Sequence, residues 1–557
     1  MLSAIVKITV LMWADNLAAF AIWMMMTYLT NVWNIGFTHA ASIVNFFWGV
    51  VLMMPMAIQF LIDTIIGNYW MLLLSSFAFS AGLSFLAMST PPVLAKAMGT
   101  CSEYKPECIG EGQKVLFYTA LALTALGMSG HLTSLGGFMA EQITVSGQQN
   151  ISQGTFVMFF LSFFGVILVP IIGAIAIPLI HPWSIRFGIP AICTVVATLI
   201  FLTGTCSYRY VRPQGSSFTS VFRVFVASAS KIFHTCPRDA TELYEKDQDQ
   251  ESYTVPHTRG LRCLDKAAII LPDQTLVGQE RNGWRLCRVT EVEETKSLLR
   301  IIPISLTFIL LGVVSSVGFT DFLAQADHLN HKVGRLTVPI TILLLFYDMA
   351  KIHLANLYVK FANLLGEFGG RRYAPAVGIA ISMVIGILCL ITAAKVEIRR
   401  LDVIRSHGLI DKPDDKIPMT MFWLLPQFVL LGGFDGVSQT SVASFLVDQF
   451  PATMCNYMAH IALGIFGLGN MGSVLSVYVV GIISERGGRL NWFQDTLNKS
   501  RLDKYYWTLA AMTAVNLAVF IVVAIWYAYK DADRELEAPE FEEAGEPFDD
   551  NARCCCC

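Results

Sequence analysis

Long apolar runs, each about as long as a bilayer is thick, constrain this chain more than any other feature of its sequence. A transmembrane helix needs roughly 20 predominantly apolar residues, and the 557-residue chain contains twelve such runs. Six precede a long polar segment and six follow it. The predicted helices cover residues 5–29, 40–62, 70–90, 114–137, 155–180, 185–205, 301–323, 336–358, 373–394, 417–446, 458–483 and 505–529. The sequence therefore predicts an all-α membrane protein.

The composition agrees with a chain whose main solvent is lipid. Hydrophobic residues make up 54% and charged residues 15% of the sequence, whereas about a quarter of a soluble protein is charged. The charges gather between the apolar runs, so the net charge of -3 indicates no nucleic-acid partner. The first run lacks the short apolar core and small-residue cleavage site of a signal peptide, and we expect it to be retained.

The polar segment 206–298 reads as a linker between two six-helix halves. It contains 13 Lys or Arg and 12 Asp or Glu residues. The predicted domains are an N-terminal bundle (1–205), this linker, a C-terminal bundle (299–530) and an acidic tail that ends in cysteines (531–557). Within the linker, Phe222 and Phe225 lie at helical spacing. That pattern fits an amphipathic helix on the bilayer surface or, equally, a solvated linker helix.

The basic linker favours the cytoplasmic side, and an even number of helices then places both termini there. The segments 395–416 and 485–504 are also rich in Lys and Arg, so the charge bias is weak. In this orientation Asn498, in the string Asn-Lys-Ser, becomes a possible glycosylation site on the opposite side.

Two groups of cysteines stand apart from the rest. Cys101 and Cys108 share a polar loop and form either a disulfide or two free thiols, depending on the compartment. Four C-terminal cysteines are either lipidated or unmodified; they are Cys554, Cys555, Cys556 and Cys557. Because the cysteines and histidines form no compact cluster in the sequence, we expect no metal site and no cofactor.

Several strings occur in order along nearly the whole chain. They are Tyr28–Asn31, Asp63–Trp70, Trp284–Glu294, His407–Asp411, Phe422–Gln427 and Asp448–Pro451. As a set they resemble motifs of the plant nitrate transporter 1/peptide transporter family of the major facilitator superfamily. The resemblance implies a fold of two six-helix halves that rock about a central site, and transport of a small polar solute by alternating access.

The chain departs from this family where its members usually carry coupling charges. The family's first helix has Glu-x-x-Glu followed by Arg or Lys, and here those positions are Leu11, Ala14 and Asp15. The usual Lys of the fourth helix falls at Leu132, beside His131. Charges at the membrane midplane are costly, so we interpret their joint loss as removal of an interacting network. This favours a facilitator, exporter or exchanger with altered or absent proton coupling.

Asp15 and His131 are the main candidates in the first half. Asp15 either carries a proton or a cationic group of the solute, or is hydrogen-bonded to neighbours such as Asn16. His131 either titrates as a switchable charge or remains neutral within the bundle.

In the second half, Gln325 and Asp435 are candidates for substrate contact, and Ser444 stands where the family usually has a Glu. The resemblance also implies four gating candidates. These are Asp63, Gly67, Glu141 and Asp448. Asn68 replaces the Arg that usually follows Gly67, and we expect that change to weaken the gating contact.

The leading prediction is a secondary transporter of nitrate, a peptide or an amino-acid-derived compound such as nicotianamine. A transport-deficient sensor or scaffold and a conventional proton-coupled symporter are the alternatives. An enzyme is not expected, because no phosphate loop, His-Glu-x-x-His or Gly-x-Ser-x-Gly string occurs. The plasma membrane and an endomembrane remain open, as does the oligomeric state.

Overall fold

A computed structural model describes most of the chain. The described residues are 2–143, 164–213, 215–235, 243–244, 258, 260–271, 278–279, 283–367, 369–413, 415–450, 454–486, 488–494 and 496–537. The C-terminal cysteines and their predicted lipidation lie outside this part of the chain.

Helices account for most of the described structure. Before the linker they are α1 (Leu2–Trp23), α2 (Met25–Asn31), α3 (Phe37–Leu61), α4 (Asn68–Met88), α5 (Pro91–Met98), α6 (Glu111–Ile143), α7 (Val169–Leu179) and α8 (Trp183–Leu202). In the linker they are α9 (Ser217–Ser230) and α10 (Arg262–Asp265). After it they are α11 (Val289–Ser316), α12 (Leu323–His328), α13 (Thr341–Glu367), α14 (Ala374–Ser406), α15 (Leu425–Asp448), α16 (Cys455–Glu485) and α17 (Leu502–Glu537).

Wider π-helical turns extend three of these helices. They are Ile62–Ile66 after α3, Phe164–Leu168 before α7 and Gly318–Phe322 between α11 and α12. Four short strands, β1 (Leu329–Asn330), β2 (Lys332–Val333), β3 (Leu336–Thr337) and β4 (Ile417–Thr420), form two small ladders. β1 pairs with β4 in parallel and β2 pairs with β3 in antiparallel orientation.

Eleven helical segments in the described part of the chain are long and apolar enough to cross a membrane. The lipid interior offers no water to backbone groups, so each segment must satisfy its own hydrogen bonds as a helix. The prediction of an all-α multi-pass membrane protein is confirmed. Of the predicted helix at 155–180, the described part contains the short apolar helix α7.

Close packing of small residues holds α11 against α16. A Cβ atom added to Gly312 would lie 2.4 Å from the carbonyl oxygen of Phe466 and 2.8 Å from Cα of Gly469. Because real Cβ atoms do not approach so closely, only glycine fits at this crossing. Small residues permit such backbone contact between membrane helices.

The chain divides into two compact units. The first contains residues 1–213, 308–442 and 463–518, and the second contains 214–307, 443–462 and 519–557. In the second, Val224 and Ala227 of α9 lie in an apolar cluster with Leu264 and Ala267. The predicted bounds of the two bundles, linker and tail stay a prediction.

Helix α9 shows two different faces. Val221 and Val224 are buried, whereas Phe222 and Phe225 are 52% and 41% exposed. The exposed aromatic face suits a bilayer surface, and both interpretations of this helix stay open.

Candidate coupling and translocation site

An acid–base pair joins α1 to α6. The two carboxylate oxygens of Asp15 lie 2.9 and 2.8 Å from Nδ1 of His131. The His131 side chain is 6% exposed and that of Asp15 is 25% exposed. An ionisable pair inside a membrane bundle is costly unless its members satisfy each other, and this geometry does so.

Ser76 of α4 contacts the other ring nitrogen of His131. Its Oγ donates to the carbonyl oxygen of Leu72 at 2.7 Å and lies 2.8 Å from Nε2 of His131. A hydroxyl has one proton; with that proton directed to Leu72, Nε2 of His131 donates to Ser76. One proton then joins Nδ1 to the Asp15 carboxylate, and the pair is neutral overall whichever member carries it.

The interpretation that the family's coupling network was removed as a unit stays a prediction. Leu11 and Ala14, at the positions of the family's acids, are buried in an apolar cluster, and Leu132 is 50% exposed. However, the first and fourth predicted helices still carry an acid and a base, now Asp15 and His131. The sequence placed both residues among the candidates but could not show that they meet, because they are 116 positions apart.

The proposed bonding of Asp15 to Asn16 is not what the structure shows. The Nδ2 atom of Asn16 donates to the carbonyl oxygen of Gly165 at 3.2 Å. Asp15 instead points to His131, which lies on a different helix.

Asp435 occupies a second buried site, on α15. Its Oδ2 accepts hydrogen bonds from Tyr347 at 2.6 Å and from Ser315 at 3.0 Å. Its Oδ1 has no hydrogen-bond partner among the described residues, and the residue is 0% exposed. Gly436 allows α13 to come close, since a Cβ there would lie 2.2 Å from the carbonyl oxygen of Lys351. α15 and α13 therefore form a tightly packed crossing at Gly436.

Gln325 of α12 is tied to a buried ion pair. Its Nε2 donates to Oε2 of Glu397 at 2.6 Å, and Nε2 of Gln427 donates to its Oε1 at 3.3 Å. The guanidinium of Arg400 donates to both oxygens of Glu397, each at 2.7 Å. Gln325 therefore positions a charged network rather than standing alone.

Sequence reasoning missed Glu397 and Arg400. The predicted helix ended at residue 394, whereas α14 continues to Ser406. Glu397 and Arg400 lie one helical turn apart on this extension and are 0% and 1% exposed. Their i, i+3 spacing was the available signal, but it read as part of a solvated basic loop.

Asp321, predicted at a helix end, is 6% exposed and sits in the turn Gly318–Phe322. It lines a small cavity of about 20 Å³ together with Asn45, Ser473 and Tyr505. A cavity of this size holds roughly one water molecule. It is lined by residues from both halves of the sequence.

The N-terminal and C-terminal halves of the sequence contact each other near the ends of α2 and α12. Nδ2 of Asn31 donates to Oδ2 of Asp327 at 3.0 Å. Nearby, the ring of Phe319 lies 5.7 Å from Trp23 and 6.0 Å from Trp48, centroid to centroid. If membrane crossings are counted from the linker, this end lies on the side of the bilayer opposite the linker. The two halves touch there in this structure.

The gating candidates have local partners. Oδ1 of Asp63 accepts from Gln59 at 2.8 Å, and Gly67 has φ 77°, a conformation that favours glycine. Nδ2 of Asn68 donates to Oε1 of Glu141 at 2.6 Å, so the neutral residue still makes a contact between α4 and α6.

Two further candidates lie on α15. Ser444 is half-buried and Asp448 is exposed at its end. A role for either one in binding or gating stays a prediction.

The structure also places the predicted modification sites. Cys101 and Cys108 are joined by a disulfide, one of the two alternatives for this loop. Asn498 is 4% exposed, and its Nδ2 donates to the carbonyl oxygen of Leu409 at 3.2 Å. Its buried, engaged amide makes glycosylation of the folded chain unfavourable. Among the described residues, no group of three or more His, Cys, Asp or Glu side chains could hold a metal ion.

The apolar helices and the internal acid–base pair define a multi-pass membrane transporter. Solved structures share this fold. An auto-inhibited peptide transporter of the POT family matches with a TM-score of 0.64 at 16% identity and covers 94% of this chain and 96% of its own. A POT family transporter in complex with 5-aminolevulinic acid matches with a TM-score of 0.58 at 10% identity, covering 93% of this chain and 95% of its own.

Sequence relatives give the family. The model described as "PTR2: POT family" matches residues 69–493. Protein NRT1/PTR FAMILY 5.5 of Arabidopsis thaliana is 42% identical over 525 residues, which are 93% of this chain and 96% of the relative. Protein NRT1/PTR FAMILY 8.3 of the same plant is 31% identical and covers 91% of this chain and 88% of its own. The chain belongs to the POT family, in its NRT1/PTR group.

Proposed function

We propose that this transporter moves a small polar solute by alternating access, with proton coupling altered so that it passes through the Asp15–His131 pair. The observation that carries the proposal is the 2.8 Å contact between these side chains. It puts a titratable group on the two helices where the family usually carries its coupling charges.

The charge state of the pair explains how it can respond to solute. With its shared proton the pair is neutral, and without that proton it carries one negative charge. An uncompensated negative charge inside the bundle is unfavourable. A solute with an ammonium group can compensate it, so proton and solute would compete for one site. Competition of this kind supports exchange or export rather than symport, in which both must bind together.

This reasoning favours an amine-bearing solute within the family's range. Dipeptides and amino-acid derivatives such as nicotianamine carry such a group, whereas nitrate does not. A solved relative of similar fold is a complex with 5-aminolevulinic acid, which is also a small amino acid. The quarter of the Asp15 side chain that remains exposed gives the solute a surface to contact.

The contacts between the halves support alternating access. Asn31 and Asp327 meet at one end of the first unit through a hydrogen bond in which the Asn31 partner is neutral. A single hydrogen bond between exposed groups contributes roughly 0.5–1.5 kcal/mol. This hydrogen bond is therefore weak enough to break and re-form in each transport cycle.

The test is uptake and efflux of labelled nitrate, a dipeptide, nicotianamine and a glucoside in oocytes, with a pH gradient imposed and then collapsed. We expect an amine-bearing solute to move without the gradient, and an opposing gradient to change its net flux. Asp15→Asn should remove that pH response. Asp402→Asn is the matched control, because Asp402 is an exposed carboxylate paired with Arg405.

The other outcomes distinguish the alternative functions from one another. Uptake that stops when the gradient collapses would identify a conventional symporter. If no solute moves although surface labelling confirms expression, the chain is a sensor or scaffold. A pH response unchanged in Asp15→Asn would overturn the role of the pair.

A further inference from the structure

A pocket of about 860 Å³ opens at the far ends of α14, α16 and α17, away from the candidate coupling site. Its volume falls within the roughly 300–1,000 Å³ typical of ligand pockets. α14 ends at Ser406, α16 at Glu485, and the chain returns through residues 488–501 to begin α17 at Leu502. By counting crossings from the linker, these ends meet on the far side of the bilayer.

Cations dominate the polar lining of this pocket. Among the described residues that line it, six are Lys or Arg and none is acidic; the six are Arg405, Arg486, Arg489, Lys499, Arg501 and Lys504. Three have an acid nearby, in the pairs Arg405–Asp402, Lys499–Asp411 and Arg501–Asp503.

The other three cations are not in such pairs, although the Asp503 carboxylate also interacts with Lys504 over a longer distance. Arg486, Arg489 and Lys504 form no ion pair with the carboxylates of the described residues, and all three are exposed. The Lys504 ammonium lies 5.3 Å from the ring centroid of Trp492, which also lines the pocket. Like charges that line one pocket repel one another, and a bound anion would reduce this repulsion.

Apolar side chains form the rest of the pocket. Leu401 and Ile404 of α14 are 5% and 0% exposed and form its inner wall. Ile483 and Leu490, on the rim, are 55% and 83% exposed. Exposed aliphatic groups beside Arg and Lys at a helix end are typical of a bilayer–water boundary, where cations reach headgroups and apolar groups reach acyl chains.

In the orientation that the linker favours, membrane topology does not explain the position of this charge. Basic residues favour the cytoplasmic side, to which the basic linker is assigned, and the pocket lies on the opposite side. A bound anion accounts for both the surplus charge and the concave shape.

We propose that this pocket binds one anionic phospholipid, with its phosphate held by Arg486, Arg489 and Lys504. Its acyl chains lie along Ile483 and Leu490. A phospholipid is preferred to a soluble phosphate because the latter would leave the exposed aliphatic rim without a partner. The bound lipid connects the ends of α14, α16 and α17.

The test uses the purified full-length protein, delipidated in detergent and examined by native mass spectrometry with added phosphatidylglycerol or phosphatidylcholine. We expect the wild type to retain phosphatidylglycerol preferentially. Because cations near a lipid surface attract anionic headgroups, the double variant Arg486→Gln/Arg489→Gln should weaken this binding by roughly tenfold or more. Its unfolding temperature is measured in parallel to confirm that it is folded.

The control variant is Arg371→Gln/Arg372→Gln. It removes the same charge from two exposed residues at the other end of α14, and phosphatidylglycerol binding should persist. Equal loss in both variants would reveal non-specific attraction and overturn the site. Displacement of the lipid by inorganic phosphate, with no preference between the two lipids, would assign the pocket to a soluble anion and also overturn the proposal. Unchanged binding in the pocket variant would do the same.

Discussion

Nδ1 of His131 and Oδ2 of Asp15 lie 2.8 Å apart, across two helices that are separated in sequence by more than a hundred residues. The contact replaces a larger set of charges that the family usually carries on the same helices. In the arrangement in which Ser76 accepts from the other ring nitrogen, the pair shares one proton.

The Asp15–His131 contact should give a non-additive mutant cycle. Asp15→Asn and His131→Gln should each impair transport, and the double variant should be little worse than either. Residues in contact show interaction energies of roughly 0.5–3 kcal/mol, which correspond to an approximately twofold to hundredfold departure from additivity in rate. The measurement is the initial rate of whichever solute in the panel moves. As a control, the effects of His131→Gln and Asp402→Asn on the initial rate should be additive. Additive effects of Asp15→Asn and His131→Gln would show that the contact between these two side chains does not contribute to transport.

The contact between Asn31 and Asp327 should act as a closure that must open. In the variant Asn31→Cys/Asp327→Cys, a short bifunctional thiol reagent should join the two positions, because their native side chains are within 3.0 Å. Transport should fall to background on cross-linking and return after reduction. Each single cysteine variant, treated in the same way, controls for the native thiols. Full transport by protein shown to be cross-linked would contradict alternating access at this end.

The crossing of α11 and α16 should not tolerate a methyl group. Gly312→Ala places Cβ 2.4 Å from the Phe466 carbonyl oxygen, so the helices must separate. Overpacking of this kind costs roughly 1–3 kcal/mol, and the unfolding temperature in detergent should fall. Gly464→Ala is the control on α16, since its Cβ would meet nothing within 4 Å. Equal unfolding temperatures for the two variants would show that α11 and α16 are not in close contact.

The buried Lys231 should make the linker more stable as pH rises. Its Nζ donates to the carbonyl oxygens of Ala267 and Ile269 at 3.1 and 2.7 Å, and burial lowers its pKa to about 8 from 10.5. Between these two values the unfolded linker binds more protons than the folded one. Stability therefore rises with pH through this window, and the full penalty of the buried charge remains below about pH 8.

Hydrogen exchange at Ala267 and Ala268, compared between variants at equal pH, measures this effect. The protection of wild type relative to Lys231→Met should increase as pH rises from about 8 towards 10. Lys266→Met is the control, because Lys266 donates to the Ile232 carbonyl at the surface. A ratio independent of pH would contradict the buried, weakly basic Lys231.

The sequence determined the class of this protein because its main signal is local. Each apolar run of about 20 residues forms a helix by itself in lipid, so the all-α fold could be predicted without knowing any contact. The motifs from Tyr28 to Pro451 likewise identified the family by order and identity.

Helix ends were less predictable. Helix α14 is longer than the bilayer is thick, and its extension carries Glu397 and Arg400 in a region whose sequence resembles a solvated loop. Only the tertiary structure decided which polar groups meet. Asp15 and His131 could be recognised as costly residues, but their pairing depends on the crossing of α1 and α6. The buried partners of Asp435 and Gln325 depend in the same way on helices distant in sequence. A membrane charge is visible in a sequence by its cost, whereas the partner that reduces this cost is fixed by packing in three dimensions.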